Sequence, residues 1–552
     1  MARITRVAFH AETSSSPISE EVPGVKEHIV ILGGGFAGVY TAMHLERHLR
    51  DDPDVEITLI NRENYFVFQP LLPEVISGSI EIQHVINPIR RLCPRTNLLM
   101  RNVESIDLEG RSVTTSPGFR PTPTQLRYDH LVITLGTVMN FSRLPGLQQH
   151  GFPFKNLGDA LHLRNHIIHV LEEADNERDP QLRRSLLTFV IAGGGFSGVE
   201  SAAEINDFVR AAAQNYRHID PDEPRVILLH SGDRILPELN EELGRFAERL
   251  LRERRVEIRF QTRLAGATAH AAVLRGGEKI PTQTLVATVP AGPHPLIEAL
   301  PCRKERGRIV VNEYLEVPEY PTVWALGDGA WIPDLKTGGI CPPTAQYAVR
   351  EAKCVAENIV SALRDRPKKP FRFSAQGMAG ALGHRSAVAE VMGVRFSGFP
   401  AWLIWRTIYW SKLPGWERKL RVGIDWFLDL LLPKDIVQIK TGRSESIMQE
   451  HYEAGEVIFR QGDLGDRVYA LIRGNVQVVR EEATGERVLA TLGPGDCFGE
   501  MALLAAAPRN ATIRAVNSVD TLVIYRRDFE ALLNHLPGMR QIFERLMESR
   551  RP

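Results

Sequence analysis

The stretch His28-Ile29-Val30-Ile31-Leu32-Gly33-Gly34-Gly35-Phe36-Ala37-Gly38 decides how the first part of the chain folds. A short β-branched apolar run ends in a glycine-rich turn. A helical stretch follows to about Leu49, and a second apolar run covers Val55–Ile60. This β-turn-α-β order is the unit that holds a dinucleotide. The glycines have separate tasks. Gly33 makes the tight turn, Gly35 lets the backbone approach a pyrophosphate, and Gly38 permits close helix–strand packing. Phosphates then sit on the unpaired amides at the helix N-terminus, around Phe36 and Ala37.

The pattern returns at Leu187–Ala192, followed by Gly193-Gly194-Gly195-Phe196-Ser197-Gly198-Val199-Glu200, a second helix and a strand at Arg225–Leu229. One such turn is a common loop. Two, each in strand–turn–helix context, predict two dinucleotide sites in an α/β fold. Tyr128–Thr137 reads YDHLVITLGT, an apolar strand ending at Gly136. Val323–Ala330 reads VWALGDGA and ends in Gly327-Asp328-Gly329. An aspartate there suits a hydrogen bond to a ribityl hydroxyl; taken alone, it reads as well as a turn cap.

A chain of 552 residues, 43% hydrophobic and 24% charged, calls for several globular domains. Zero formal net charge gives no field toward nucleic acid. The five cysteines include no Cys-x-x-Cys pair, which excludes a zinc knuckle and fits a reducing cytosol. Cys341 reads as a small buried thiol. Residues 1–26 lack an apolar signal core and read as a disordered leader, and no run reaches the length of a transmembrane helix.

With these residues in place, the chain resembles the type II NADH dehydrogenases, single-subunit NADH:quinone oxidoreductases of the pyridine nucleotide-disulfide oxidoreductase superfamily. The likeness runs over roughly 27–440. It rests on GGGFAG at Gly33–Gly38, NYFVFQPLLPEV at Asn64–Val75, GGGFSGVESAAEI at Gly193–Ile205 and LGDGA at Leu326–Ala330. PPTAQYAVREA at Pro342–Ala352, GALGHRSAVAEV at Gly380–Val391 and SGFPAWLIW at Ser397–Trp405 complete it. The resemblance implies FAD on the first turn and NADH on the second, with Asp328 and the Ala345–Gln346 backbone on the flavin. It also implies that Glu200 lies near the nicotinamide–flavin stack, that Gln346 lines a quinone site, and that the protein is a homodimer. Glu200 opens a helix, where the dipole favours a carboxylate. It reads equally as a group that orients nicotinamide or relays a proton, and as plain helix stabilisation.

Three positions depart from the family pattern. Asn61, followed by Arg62 and with Glu63 close by, stands where a ribose-binding acid usually ends the second strand. His230 stands at the equivalent place in the second unit, with Ser231 and Arg234 after it, which leaves NADPH open beside NADH. Arg350 replaces the last glutamine of the family's Ala-Gln-x-Ala-x-Gln quinone motif.

Trp402, Trp405, Trp410, Trp416 and Trp426 crowd one stretch with Arg406, Lys412, Arg418, Lys419 and Arg421. Trp402, Trp405 and Tyr409 share a helical face; Ile424, Phe427, Leu428 and Leu431 form a stripe with Asp425 and Asp429 opposite. Indoles beside basic residues suit the headgroup region, so residues 400–432 are expected to lie on the cytoplasmic membrane surface.

From about 448 short strands alternate with glycines, the texture of an antiparallel jelly roll. Phe498–Leu504 (FGEMALL) and Pro508–Thr512 (PRNAT) resemble the phosphate cassette of cyclic nucleotide-binding domains. Arg509 suits the cyclic phosphate of cAMP or cGMP, Glu500 the ribose 2′-hydroxyl, and the Gly499 and Ala502 amides the phosphate oxygens. Asn510, before Ala511, departs from the usual Ala, Ser or Thr. Too little chain follows for a helix-turn-helix domain, so no nucleic-acid partner is expected. The expected order is a leader to 26, FAD-domain halves at 27–145 and 291–385, a nicotinamide domain at 146–290, a membrane-associating region at 386–440 and the tail at 441–552.

Overall fold

The computed structural model describes residues 18–19, 27–439, 447–526, 529 and 533, apart from 118–122, 142–143, 289–290, 376, 453, 464, 466, 483–484 and 505–507. They fall into two compact units that divide between Gln438 and Ile439.

The first unit is built on two parallel five-stranded sheets. One has the order Val323–Ala325, His130–Ile133, Glu27–Leu32, Val55–Asn61, Asn97–Met100. The other has Phe152–Pro153, Thr284–Ala287, Thr188–Ala192, Arg225–Leu229, Val256–Arg259. Strands of such sheets are covered on both faces, which is why they read as unbroken apolar runs. Ile29–Leu32 and all of Thr188–Ala192 are buried. The connecting helices Phe36–His48 and Phe196–Ala213 follow directly from the two glycine turns.

The two turns repeat each other in detail. Gly33 has φ +105° and Gly193 φ +134°, values that L side chains rarely adopt. A Cβ on Gly38 would lie 1.9 Å from the Gly33 carbonyl, and one on Gly198 1.8 Å from that of Gly193. Thr134 donates to the Leu32 carbonyl at 2.7 Å and Thr288 to the Ala192 carbonyl at 2.9 Å. A hydroxyl from the neighbouring strand thus caps each turn.

A three-stranded antiparallel sheet, Gly377–Ala381, Ala387–Val391 and Val394–Ser397, crosses the 385/386 boundary set from sequence. It leads into a helical hairpin, Gly398–Lys412 and Trp416–Leu428. Here the structure corrects the sequence reading. Trp402 and Trp405 turn into the body, 9% and 1% exposed, and Trp426 joins them at 7%. The outward face carries Phe399, Leu403, Trp410, Trp416, Ile424 and Phe427 instead. Arg406 is also inward, its guanidinium 4.2 Å from the Trp402 ring centroid and 4.6 Å from that of Trp426. The Ile424–Leu431 stripe is exposed as expected, and Asp425 faces the body, accepting from His84 at 2.5 Å.

Of the leader, only Ile18–Ser19 are described, and they pair with Thr124–Gln125 as a strand, so these two residues are not structureless. The rest of it lies outside the described residues. The second unit holds two four-stranded antiparallel sheets around a core that includes Tyr469, Phe498, Ile513 and Val523.

The glycine geometry separates packing from binding. A Cβ on Gly35 meets nothing within 4 Å. Gly38→Ala and Gly198→Ala should each lower the unfolding free energy by about 2–3 kcal/mol in urea denaturation, because a backbone clash cannot be relieved by a rotamer. Gly35→Ala should cost less than about 1 kcal/mol.

Candidate functional site

In the first unit, three separate segments converge. A Cβ on Gly327 would stand 3.2 Å from the Ala37 side chain, and one on Gly329 would stand 3.2 Å from the Gly136 carbonyl. The phosphate turn, the end of the His130–Ile133 strand and the Gly327–Gly329 turn therefore share one crevice. Gly35 and Gly136 face open space within it. That cradle of bare backbone fits an extended dinucleotide such as FAD.

Asp328 is half-buried there, its carboxyl raised by burial and partly restored by the positive charges of Lys155 and Arg308. Lys155 donates to the Thr137 hydroxyl at 2.8 Å. Sequence reading missed Lys155, because it enters from a loop distant in the chain. Glu351, also missed, accepts from the Gly327 amide at 2.9 Å and holds that turn; burial pushes its carboxyl up to about 7. Thr137, Arg306, Arg308, Trp331, Cys341 and Pro342 line an adjacent cavity of about 300 Å³. Burial pushes the Cys341 thiol up to about 12, so it is no thiolate there.

The two strand-end substitutes do the same work. Asn61 accepts from the Gly34 amide at 2.9 Å, and its own amide donates to the Glu63 carbonyl at 2.8 Å. His230 Nδ1 accepts from the Gly194 amide at 3.2 Å, which puts the imidazole proton on Nε2. Each pins the middle glycine of its turn, a role not assigned from sequence. Burial lowers the His230 pKa, so the ring there is neutral. Arg62 lies exposed past the first strand end. Arg234 is already engaged, donating to the Leu239 and Pro237 carbonyls at 3.1 and 2.8 Å. A carboxylate comes from elsewhere: Glu238 Oε1 lies 3.3 Å from the place of a Gly195 Cβ and acts electrostatically on His230.

Glu200 lies on the helix that Phe196 and Ser197 begin, and is 9% exposed. Its Oε1 accepts from the Ala381 amide at 3.0 Å, and Phe196 packs over Gly380. Burial pushes its carboxyl up to about 8, with the Glu204 and Glu74 charges adding to the rise. Burial therefore outweighs the helix dipole invoked from sequence, and Glu200 is a neutral acid at pH 7. The inward face of the hairpin closes over it. Tyr409 is raised by burial and by the Glu200 charge, and the Trp405 indole faces the same carboxyl. Lys412, at the end of the same helix, feels the charge of Arg350. The Ala345–Leu363 helix begins with Ala345 and the half-buried Gln346. Arg350 stacks on Phe373 with its guanidinium 5.4 Å from the ring centroid.

In the tail, Arg509 is 4% and Glu500 3% exposed. Arg509 donates to the Gly499 carbonyl at 2.5 Å and the Arg467 carbonyl at 2.7 Å, and stacks on Phe459. The exposed Asn510 reaches the Met501 sulfur at 3.5 Å, while Ala502 and Ala511 are buried.

Residues 27–352 match the pyridine nucleotide-disulphide oxidoreductase family, and residues 449–535 match the cyclic nucleotide-binding domain. The chain is 31% identical over 425 residues to the type II NADH:quinone oxidoreductase Ndh of Mycobacterium tuberculosis, covering 74% of this chain and 89% of the relative. It is 31% identical over 412 residues to the demethylphylloquinone reductase NdbB of Synechocystis, covering 73% and 96%. Among solved structures, an NDH2 from Plasmodium falciparum in complex with NADH matches with TM-score 0.68 at 19% identity, over 75% of this chain and all of that one. The sulfide:quinone oxidoreductase of Aquifex aeolicus shares the fold with TM-score 0.57 at 20% identity, over 76% of this chain and all of that one. The chain belongs to the pyridine nucleotide-disulphide oxidoreductases, within the type II NADH:quinone oxidoreductase family, and carries a C-terminal cyclic nucleotide-binding domain.

Proposed function

We propose that the chain transfers hydride from NADH to FAD and passes the two electrons on to a membrane quinone, without pumping protons itself. The observation that carries this reading is the position of Glu200. It ties the second dinucleotide turn to Ala381 at the end of the Gly377–Ala381 strand, and the Trp405 indole on the inward face of a hairpin whose outward face is apolar faces the same carboxyl. Nicotinamide site and membrane-facing element thus meet at one carboxyl. The named activities of the relatives support the quinone. Gly33–Gly38, Gly136 and Asp328 would hold FAD, which supplies the two-electron redox chemistry; the protein supplies position and electrostatics. The hairpin would rest on the membrane surface through Trp410, Trp416, Ile424 and Phe427, which suit the interface. No described helix is long and apolar enough to cross a membrane.

NADH is favoured over NADPH because Glu238 lies in electrostatic reach of His230, at the strand end where a 2′-phosphate would sit, while Arg234 is spent on carbonyls. On anaerobic mixing, NADH should bleach the flavin at least about tenfold faster than NADPH, and Glu238→Ala should narrow the gap, by the scale of one close charge pair. Short-chain ubiquinone should then restore the absorbance. Bleaching that no quinone reverses would remove the acceptor from this reading.

The charge state of Glu200 sets a pH dependence. Its proton is held below about pH 8 and lost above it. If Glu200 donates that proton, reoxidation by quinone falls as pH rises through about 8. Glu200→Gln should remove this limb and slow reoxidation by roughly 10²-fold or more, while bleaching by NADH persists.

The tail is proposed to bind a cyclic nucleotide and so modulate turnover. The ligand phosphate would draw Arg509 away from the Gly499 and Arg467 carbonyls, which makes this cassette the element that binding alters. Titration calorimetry with cAMP and cGMP should give saturable binding. Arg509→Lys, which keeps the charge and loses the planar fork, should weaken it about tenfold.

A further inference from the structure

We propose that Lys434, Ser79 and Ser77 form a proton wire that carries one solvent proton per turnover inward to Glu204 and Glu200. The proposal rests on the quinone-reductase reading above and adds the route by which its proton arrives. The net reaction is NADH + H⁺ + quinone → NAD⁺ + quinol. NADH supplies two electrons and one proton as hydride, so the second quinol proton must come from water. Glu200 is 9% and Glu204 7% exposed, so that proton needs a path.

The structure contains one built of hydrogen-bonding groups. Glu204 follows Glu200 by one turn of the Phe196–Ala213 helix, so the two carboxyls share a face. The Ser77 hydroxyl lies close enough to the Glu204 carboxyl to favour its charged form. The Ser77 and Ser79 hydroxyls are 2.9 Å apart, and both residues are buried, at 0% and 6% exposure. Lys434 Nζ donates to Ser79 Oγ at 2.5 Å and to Asp429 Oδ1 at 2.5 Å. The Lys434 and Asp429 side chains, 19% and 17% exposed, form the solvent end.

A hydroxyl both accepts and donates, so it can take a proton on one side and release its own on the other. Ser77 also has a second acceptor, the Glu74 carbonyl at 3.2 Å, which gives its rotor two positions. The surrounding charges come from several elements. Glu74 accepts from the Trp426 indole at 2.6 Å and sits 3.9 Å from Arg406. Asp207 lies near Arg254 and His384. Burial raises Glu204 as it raises Glu200, so both hold protons near neutrality and can exchange them. In the cycle, the O–H bond of Glu200 breaks as a quinol O–H bond forms. Glu204 then reprotonates Glu200, the serine hydroxyls reprotonate Glu204, and Lys434 draws the replacement from water.

The test is hydrogen–deuterium exchange of the buried carboxyl C=O bands, followed by infrared spectroscopy after transfer to D₂O, together with stopped-flow oxidation by short-chain ubiquinone. In Ser77→Ala/Ser79→Ala, carboxyl exchange should slow, and reoxidation should fall by roughly 10²-fold with a larger solvent isotope effect. Bleaching by NADH should be unaffected, and Ser79→Thr, which keeps the hydroxyl, should retain fast exchange. A folded double-alanine variant with normal bleaching and unchanged exchange and reoxidation overturns the wire alone. Failure of NADH to bleach the unsubstituted protein overturns the functional reading, and the wire with it.

Discussion

The contact between the Gly38 Cα and the Gly33 carbonyl, repeated at Gly198 and Gly193, is the constraint on which the rest of the first unit depends. No Cβ fits either gap, at 1.9 and 1.8 Å. Each helix is therefore drawn onto the end of its strand, and its free amides face the crevice rather than the core. Thr134 and Thr288 tie the neighbouring strands to the same turns. The second helix, fixed in this way, places Phe196 and Glu200 against Gly380 and Ala381. A backbone contact of one atom pair thus sets where a carboxyl lies relative to both cofactors' expected positions.

Much of this was legible in the residues. The glycine turns, the unbroken apolar strands and the glycine-punctuated tail follow from local rules that need no distant partner. The family and the fold class follow from the same motifs. What sequence could not supply was direction and burial. Trp402 and Trp405 share a face with Tyr409, but periodicity does not say which face is inward, and here it is that one. Arg406 has the composition of a headgroup contact, yet it is sandwiched between two indoles. The protonation of Glu200 comes from its burial, aided by the Glu204 and Glu74 charges and opposed by hydrogen bonds from Ala381 and Trp405, and most of these groups lie far away in the chain. Glu238 and Lys155 act at sites whose motifs do not contain them, for the same reason.

The hairpin is held by polar groups that would be costly if separated. Trp426 donates to Glu74 and Lys434 to Asp429 across the Leu72–Ile76 helix, the hairpin and the chain beyond it, with the Arg406 guanidinium 3.9 Å from Glu74 and 4.0 Å from Asp429. Removing one partner would leave an uncompensated buried charge, which makes the arrangement specific in geometry rather than a simple gain in stability. It also orders the Trp405 indole at Glu200 while the apolar residues of the other face stay exposed. The clustering of raised carboxyls at Glu200, Glu204 and Asp207 is what a site that handles protons requires.

The central claim is that the two equivalent turns hold two different dinucleotides, FAD on the first and NADH on the second. A count of sites tests it most directly. The purified protein should release one FAD per chain on denaturation, and the holoprotein should bind one NADH by anaerobic titration. Gly35→Glu should abolish the FAD, and Gly195→Glu should abolish NADH binding while FAD stays at one per chain. Loss of FAD from Gly195→Glu, or retention of FAD by Gly35→Glu, would contradict the assignment.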